Sequence, residues 1–260
     1  MIAAARLLAM LGGLLALLAR GLASLRGFDR MDDAQRQQVI AEWSRALLRT
    51  CRVELRVDGA PQGGACMLAI NHVSWLDIVA LNAVAPTRFV AKADIDRWPL
   101  VGALARGAGT LFIERERARD AMRVMHGIAQ ALRAGQRVSV FPEGTTSAGD
   151  RILPLHANLF QAAVSACAPV QPVLLRYLDA ASGAPSTAPA YVGDDSLLRT
   201  LWRIARAPRL CASVAYLTPL HGAERRALAR AVQDSLQQAL AAEAPAAWAP
   251  AAEPGWSVAQ

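Results

Sequence analysis

Residues 71–77 read Asn-His-Val-Ser-Trp-Leu-Asp and lie between two apolar runs, Ala65–Ile70 and Ile78–Leu81. An imidazole, a hydroxyl and a carboxylate at such a junction cost free energy unless they partner one another or a ligand. Two readings fit. In one, Ser74 caps a helix and Asp77 reaches back to its first amides, a capping box with a short acid. In the other, the helix N-terminus stabilises Asp77 as an anion, and Asp77 orients His72 so that its second ring nitrogen can accept a proton. Within one continuous helix these two residues would stand about 140° apart, at 3.6 residues per turn. The second reading therefore needs His72 at a strand end, with a turn before the helix. This stretch alone does not choose between them.

Residues 140–147, Val-Phe-Pro-Glu-Gly-Thr-Thr-Ser, repeat the arrangement. A buried strand runs into a polar turn, here carrying Glu143, Gly144, Thr145 and Ser147. Glycine lets backbone amides approach a ligand, and hydroxyls with turn amides bind anions or oxyanions. Hydroxyls and a glycine also suit an ordinary turn; a glutamate at a strand end does not. In Gly-Thr-Leu-Phe-Ile-Glu-Arg, 109–115, Arg115 follows a third strand, and a guanidinium suits phosphate or carboxylate. Lys92 ends a fourth and offers a weaker point charge. Polar groups at the ends of several strands are how an α/β sheet builds a site along one edge.

The elements that would position these groups alternate. Arg52–Asp58 reads as an edge strand, Ala65–Asn71 as a buried one and Leu76–Val84 as a short helix. Strands follow at 88–93 and 109–114, separated by a helical turn at 100–107. A helix over 117–135 carries Met122, Met125, Ile128, Ala129 and Leu132 on one face, with Gly135 as its stop. Then come a strand at 137–141, a helix at 155–167 and a strand entered through prolines at 169–178. Residues 196–210 form a basic amphipathic helix with Arg199, Arg203, Arg206 and Trp202, suited to a membrane surface or to plain solvent. A last helix covers 223–243. Alternating strands and helices predict an α/β fold with a central, largely parallel mixed sheet flanked by helices. An N-terminal membrane-associated helical hairpin precedes it. The expected partition is 1–50 anchor, 51–243 α/β domain and 244–260 disordered Ala/Pro tail.

Composition narrows the partners. Of 260 residues 54% are hydrophobic, and the formal charge is +7. That charge points to an anionic partner, although one lysine among 28 basic residues also marks an arginine-rich background. Four scattered cysteines (51, 66, 167, 211) read as small buried hydrophobes, neither a zinc site nor a disulfide frame. Four dispersed histidines leave no metal spacing, so no metal is expected. At the N-terminus, Leu7–Ala19 is uncharged between Arg6 and Arg20. Thirteen such residues are short of the ~20 a spanning helix needs. A cleaved signal peptide, an interfacial anchor and a tilted span all remain open from this stretch.

Taken in order, N-H-x-S-x-x-D, F-I-acid-R, F-P-E-G-T-x-S and a Pro-Val strand entry resemble the glycerolipid acyltransferase family over about residues 65–177. The bacterial lysophosphatidic acid acyltransferases are the nearest pattern. The resemblance implies His72 as general base on an acceptor hydroxyl and Asp77 as its orienting carboxylate. The hydroxyl would attack the thioester of acyl-CoA or acyl carrier protein directly, with no other cofactor. Glu143, Gly144, Thr145 and Ser147 would shape the acceptor site, Arg115 and Lys92 would face its phosphate, and Asn71 and Ser74 would support the turn. The implied acceptor is a lysolipid, 1-acylglycerol-3-phosphate first, giving phosphatidic acid. No nucleic acid is expected as a partner.

Three departures bear on the acceptor. Thr146 stands where phosphate-handling members often carry arginine, Glu114 replaces the commoner aspartate, and Leu155–Phe160 lacks the usual lysine and glycine. They resemble the lyso-ornithine-lipid branch, whose acceptor has no phosphate. Two rivals come from other classes. A serine esterase or thioesterase would use Ser74 or Ser147, but the chain has no G-x-S-x-G elbow. A non-enzymatic anionic-lipid-binding protein would leave the polar clusters without a role. Because acyl thioesters are cytosolic, the resemblance favours an uncleaved anchor that keeps the site at the cytoplasmic face of the inner membrane.

Overall fold

The computed structural model describes residues 2–113 and 118–242, so Arg115 and the expected tail at 244–260 lie outside the described residues. The strands are Val53–Asp58 (β1), Cys66–Ile70 (β2), Arg88–Lys92 (β3), Leu111–Ile113 (β4), Arg137–Val140 (β5), Val170–Asp179 (β6) and Leu210–Tyr216 (β7). They form one sheet in the order β1-β7-β6-β2-β5-β3-β4. Only β6 and β7 pair antiparallel; every other neighbour pair is parallel. Strands β2 to β6 therefore point the same way, and Ile70, Lys92, Ile113, Val140 and Asp179 all end at one edge.

Burial explains which strands the sequence reveals. In β1 the side chains grow exposed after Val53, as befits an edge. All five residues of β2 are buried, as are all seven of β7. A strand covered on both faces shows no alternation. For β7 the run Leu-Cys-Ala-Ser-Val-Ala-Tyr also holds a single β-branched residue, Val214, and the sequence reading passed over it. Its flanks, Pro208 and Pro219, were the available punctuation.

Helices cover both faces. Ile2–Leu25 (α1), Asp33–Thr50 (α2), Leu76–Val84 (α3) and Leu197–Arg206 (α8) share one core with the sheet, including Leu48, Leu76, Leu201 and Ile204 against Leu68, Ile70 and Leu175. Ala118–Arg133 (α6), Gln161–Ala166 (α7) and Arg225–Ala242 (α9) cover the other face, with Ile128, Leu132, Phe160 and Leu236 packed near Met67, Val138 and Leu174. The short helices Ala93–Asp96 (α4) and Val101–Gly107 (α5) join β3 to β4.

Local signals set two helix ends. Asp32 and Gln35 form a reciprocal capping box at the start of α2, Asp32 Oδ1 accepting from the Gln35 amide at 2.8 Å. Gly135, at φ +79°, ends α6, with the Gln136 amide donating back to Ala131 O at 3.0 Å. That is the αL stop for which glycine carries no Cβ penalty.

Two expectations need correcting. Met122 does not lie on the inner face of α6. It is 64% exposed, because it sits about 120° from the buried Ile128 at 3.6 residues per turn, and Val124 occupies the inner stripe instead. Cys51, Cys66 and Cys211 are buried, but Cys167 is exposed; it ends α7 in the left-handed region at φ +51°.

The N-terminal pair packs onto the domain. The Trp43 indole of α2 donates to Leu17 O of α1 at 2.7 Å, while Met10, Leu17 and Gly21 of α1 are buried. The opposite face of α1 is apolar and open, with Ile2, Leu8 and Leu15 about 70% exposed (71%, 70% and 68%). Among the described residues α1 alone is long and apolar enough to cross a membrane.

Candidate active site

Strand β2 stops at Ile70 because the Asn71 side chain takes over its ladder. Asn71 Nδ2 donates to Leu175 O at 2.9 Å, and the Leu175 amide donates to Asn71 Oδ1 at 2.7 Å. The side chain thus satisfies two buried backbone groups of β6 while the main chain turns away. His72 follows at the strand end, and α3 opens four residues later at Leu76. The turn that the catalytic reading requires is present.

Asp77 is fully buried, and four donors surround its carboxylate. Oδ2 lies 2.7 Å from His72 Nδ1 and accepts from the Val73 and Ser74 amides at 2.7 and 2.9 Å. Oδ1 accepts from the Tyr177 hydroxyl at 2.9 Å. Ser74 Oγ in turn accepts from the Leu76 amide at 3.3 Å. Asp77 therefore closes the helix start and grips His72 with the same oxygen, so the contacts that the two sequence readings call for coexist. Since a carboxylate only accepts, Nδ1 carries the proton and Nε2 of the neutral ring keeps its lone pair. Phe141 stacks on the imidazole at 3.9 Å and 15°, fixing the ring plane. The His72 side chain remains 21% exposed.

Neither Tyr177 nor Phe141 was singled out from sequence. Burial, with the Asp77 carboxylate beside it, pushes the Tyr177 phenol well above its usual range, so it stays a donor. The available signal was a tyrosine inside an apolar strand, whose hydroxyl must find a partner when buried.

The second polar turn docks against the first. The Ser147 amide donates to His72 O at 2.8 Å, and Ser147 Oγ accepts from the Gly149 amide at 3.2 Å. Glu143 is 4% exposed, and neither of its carboxylate oxygens has a hydrogen-bond partner among the described residues. Burial pushes its carboxyl up to about 8; the backbone of Leu153 and His72, which approaches without reaching hydrogen-bond geometry, pulls it partly back. Gly144 adopts φ +71°, and a Cβ there would meet the His156 ring at 2.9 Å. Thr145 is exposed, and the Thr146 hydroxyl donates to Tyr191 O. Of the expected cations, Lys92 closes β3 at the same sheet edge; its side chain, like Arg115, lies outside what is described. A cavity of about 500 Å³ lined by Tyr216, Leu220 and Gln238 lies at the opposite edge, where β6 begins, away from this chemistry.

A histidine–carboxylate pair thus stands at the strand ends of a mostly parallel sheet, beside a Glu-Gly-Thr turn. The Acyltransferase family model matches residues 52–176. The chain belongs to this family and is an acyltransferase. It is 38% identical over 226 residues to a 1-acyl-sn-glycerol-3-phosphate acyltransferase of Neisseria meningitidis, covering 85% of this chain and 88% of that one. A lyso-ornithine lipid O-acyltransferase of Pseudomonas aeruginosa is 37% identical, covering 79% of each chain. The crystal structure of the 1-acyl-sn-glycerophosphate acyltransferase of Thermotoga maritima superposes with a TM-score of 0.71 over 94% of this chain and 97% of that one, at 18% identity. That likeness speaks for the fold.

Proposed function

We propose that the protein moves a fatty acyl group from acyl-CoA or acyl carrier protein to the free hydroxyl of a lysolipid. The carrying observation is the 2.7 Å contact between His72 Nδ1 and Asp77 Oδ2, which leaves Nε2 as a proton acceptor at a partly open edge. Nε2 takes the acceptor's hydroxyl proton as the oxygen attacks the thioester carbonyl. Collapse of the tetrahedral species breaks the C–S bond, and the imidazolium returns the proton to the leaving thiolate. The buried Asp77 carboxylate stabilises the imidazolium in between. Glu143, Gly144, Thr145 and Ser147 are assigned to the acceptor and, from the motif resemblance alone, Arg115 and Lys92 to its headgroup, while Asn71 and Ser74 hold the turn.

The first acceptor in this reading is 1-acylglycerol-3-phosphate, supported by the coverage of the Neisseria relative. A second, lyso-ornithine lipid, is favoured by the uncharged Thr146 and the Pseudomonas relative. The open apolar face of α1 supports a hold on the bilayer, with the site kept on the cytoplasmic side where acyl thioesters are made. Purified full-length protein in lipid vesicles, given a thioester donor and each lysolipid in turn, tests the reading by release of free thiol and formation of diacyl lipid. Transfer to neither acceptor would refute it.

A further inference from the structure

We propose that the strap formed by residues 184–195, pinned through Thr146, sets which acceptor headgroup the site admits. This rests on the lysolipid reading above. After β6 the chain crosses back over the edge where the site lies, with no regular secondary structure of useful length, yet it is tied at every few residues. The Ser186 amide donates to Tyr177 O at 2.8 Å, and the Tyr191 amide donates to Val73 O at 2.9 Å. The Thr146 hydroxyl donates to Tyr191 O. From the other side Arg203 of α8 donates to Ala188 O at 3.2 Å, to Ala190 O, and to Asp195 Oδ2 at 2.8 Å.

These ties are not spread at random. Tyr177 and Val73 are two of the groups that hold Asp77, and Thr146 sits between Thr145 and Ser147 in the acceptor turn. The strap thus bridges the loop bearing the base and the turn facing the acceptor, one residue away from each. Ala190 is buried as the foot of this bridge, Tyr191 is half-buried, and Val192 emerges 45% exposed. A lysolipid hydroxyl that reaches His72 Nε2 carries its headgroup a few bonds behind, at the rim where strap and turn meet. Tyr191 is therefore a specificity-determining residue, and Thr146 positions it.

The test compares full-length wild type, Thr146→Val, Thr146→Ser and Tyr191→Ala in vesicles with a saturating thioester donor. Two acceptors are used, one lysolipid bearing a phosphate monoester and one bearing an amino-acid headgroup. Loss of one hydrogen bond, about fivefold in an equilibrium, is expected to move the ratio of the two kcat/KM values about fivefold in Thr146→Val. The change should enter through acceptor KM, leave donor KM in place, and be reversed by the hydroxyl of Thr146→Ser. Tyr191→Ala should move the same ratio and serves if Thr146→Val does not fold. A ratio constant within about twofold in both Thr146→Val and Tyr191→Ala, or a change confined to donor KM, would overturn the proposal. Wild-type protein that acylates neither lysolipid would overturn the functional reading beneath it.

Discussion

Tyr177 and Asp77, a hundred residues apart, meet through a 2.9 Å hydrogen bond in which the phenol donates to Asp77 Oδ1. The bond occupies the carboxylate oxygen that faces away from His72. Tyr177→Phe removes the donor and leaves a buried charged acceptor short of one partner. The expected cost is about 2 kcal/mol of unfolding free energy, together with a fall in kcat of roughly tenfold as the Asp77–His72 grip loosens, acceptor KM changing little. Chemical denaturation and initial rates on the same samples check both.

Asp77→Asn separates charge from shape. The two backbone amides of Val73 and Ser74 will draw the amide oxygen into the Oδ2 position, preserving the helix start and the bond from His72 Nδ1. What disappears is the negative charge beside the imidazolium. The variant should unfold close to wild type yet lose about 100-fold in kcat, while His72→Ala loses at least as much, within the range for a positioned base. Asp77→Asn activity within threefold of wild type would count against the mechanism.

Glu143 gives stability a pH dependence. Its carboxyl is raised from 4.5 to about 8 in the fold, so the folded state binds the extra proton. Between those values the unfolded chain is ionised while the folded site stays protonated, and stability falls as pH rises through that window. The slope is at most about 1.4 kcal/mol per pH unit. Glu143→Gln should remove this slope, so its stability relative to wild type grows from pH 5 to pH 8. Parallel pH profiles from denaturant unfolding would refute the assignment.

The open face of α1 predicts its own measurement. Leu8 and Leu15 touch little of the protein, so Leu8→Gln with Leu15→Gln should leave thermal unfolding near wild type. Each buries ~1.5–3 kcal/mol when transferred into hydrocarbon. The pair should therefore weaken vesicle binding by at least about 100-fold in a sedimentation assay.

Asn71→Ala addresses the strand end. It strips the partners from both the amide and the carbonyl of Leu175, a residue with no exposed surface. A loss of about 3 kcal/mol is expected, read as a shift in the denaturant midpoint at constant slope.

How much of this was legible depends on distance along the chain. His72, Ser74 and Asp77 were readable because their partners lie within five residues, and the H-x4-D spacing carries the geometry of a strand–turn–helix. The Glu143–Ser147 turn was readable as chemistry, since its glutamate has no local use. Tyr177 was not, because a hydroxyl in an apolar strand signals only that some partner exists. The tie from Thr146 to Tyr191 was equally silent: it spans 45 residues and ends on a backbone oxygen that any residue would supply. Strand β7 escaped because burial on both faces erases the alternation by which strands announce themselves. Arg203 read as a face for solvent or lipid, and it turns inward to hold the strap.

Position 144 is closed twice over. Its backbone conformation disfavours every side chain, and the His156 ring already occupies the space a methyl group would take. Drift during evolution cannot tailor the acceptor turn from within at that point. Any lineage that adopts a new lysolipid must import the change from a neighbouring segment, which makes the surroundings of the turn, and not its signature letters, the place to look when substrate preference is redesigned.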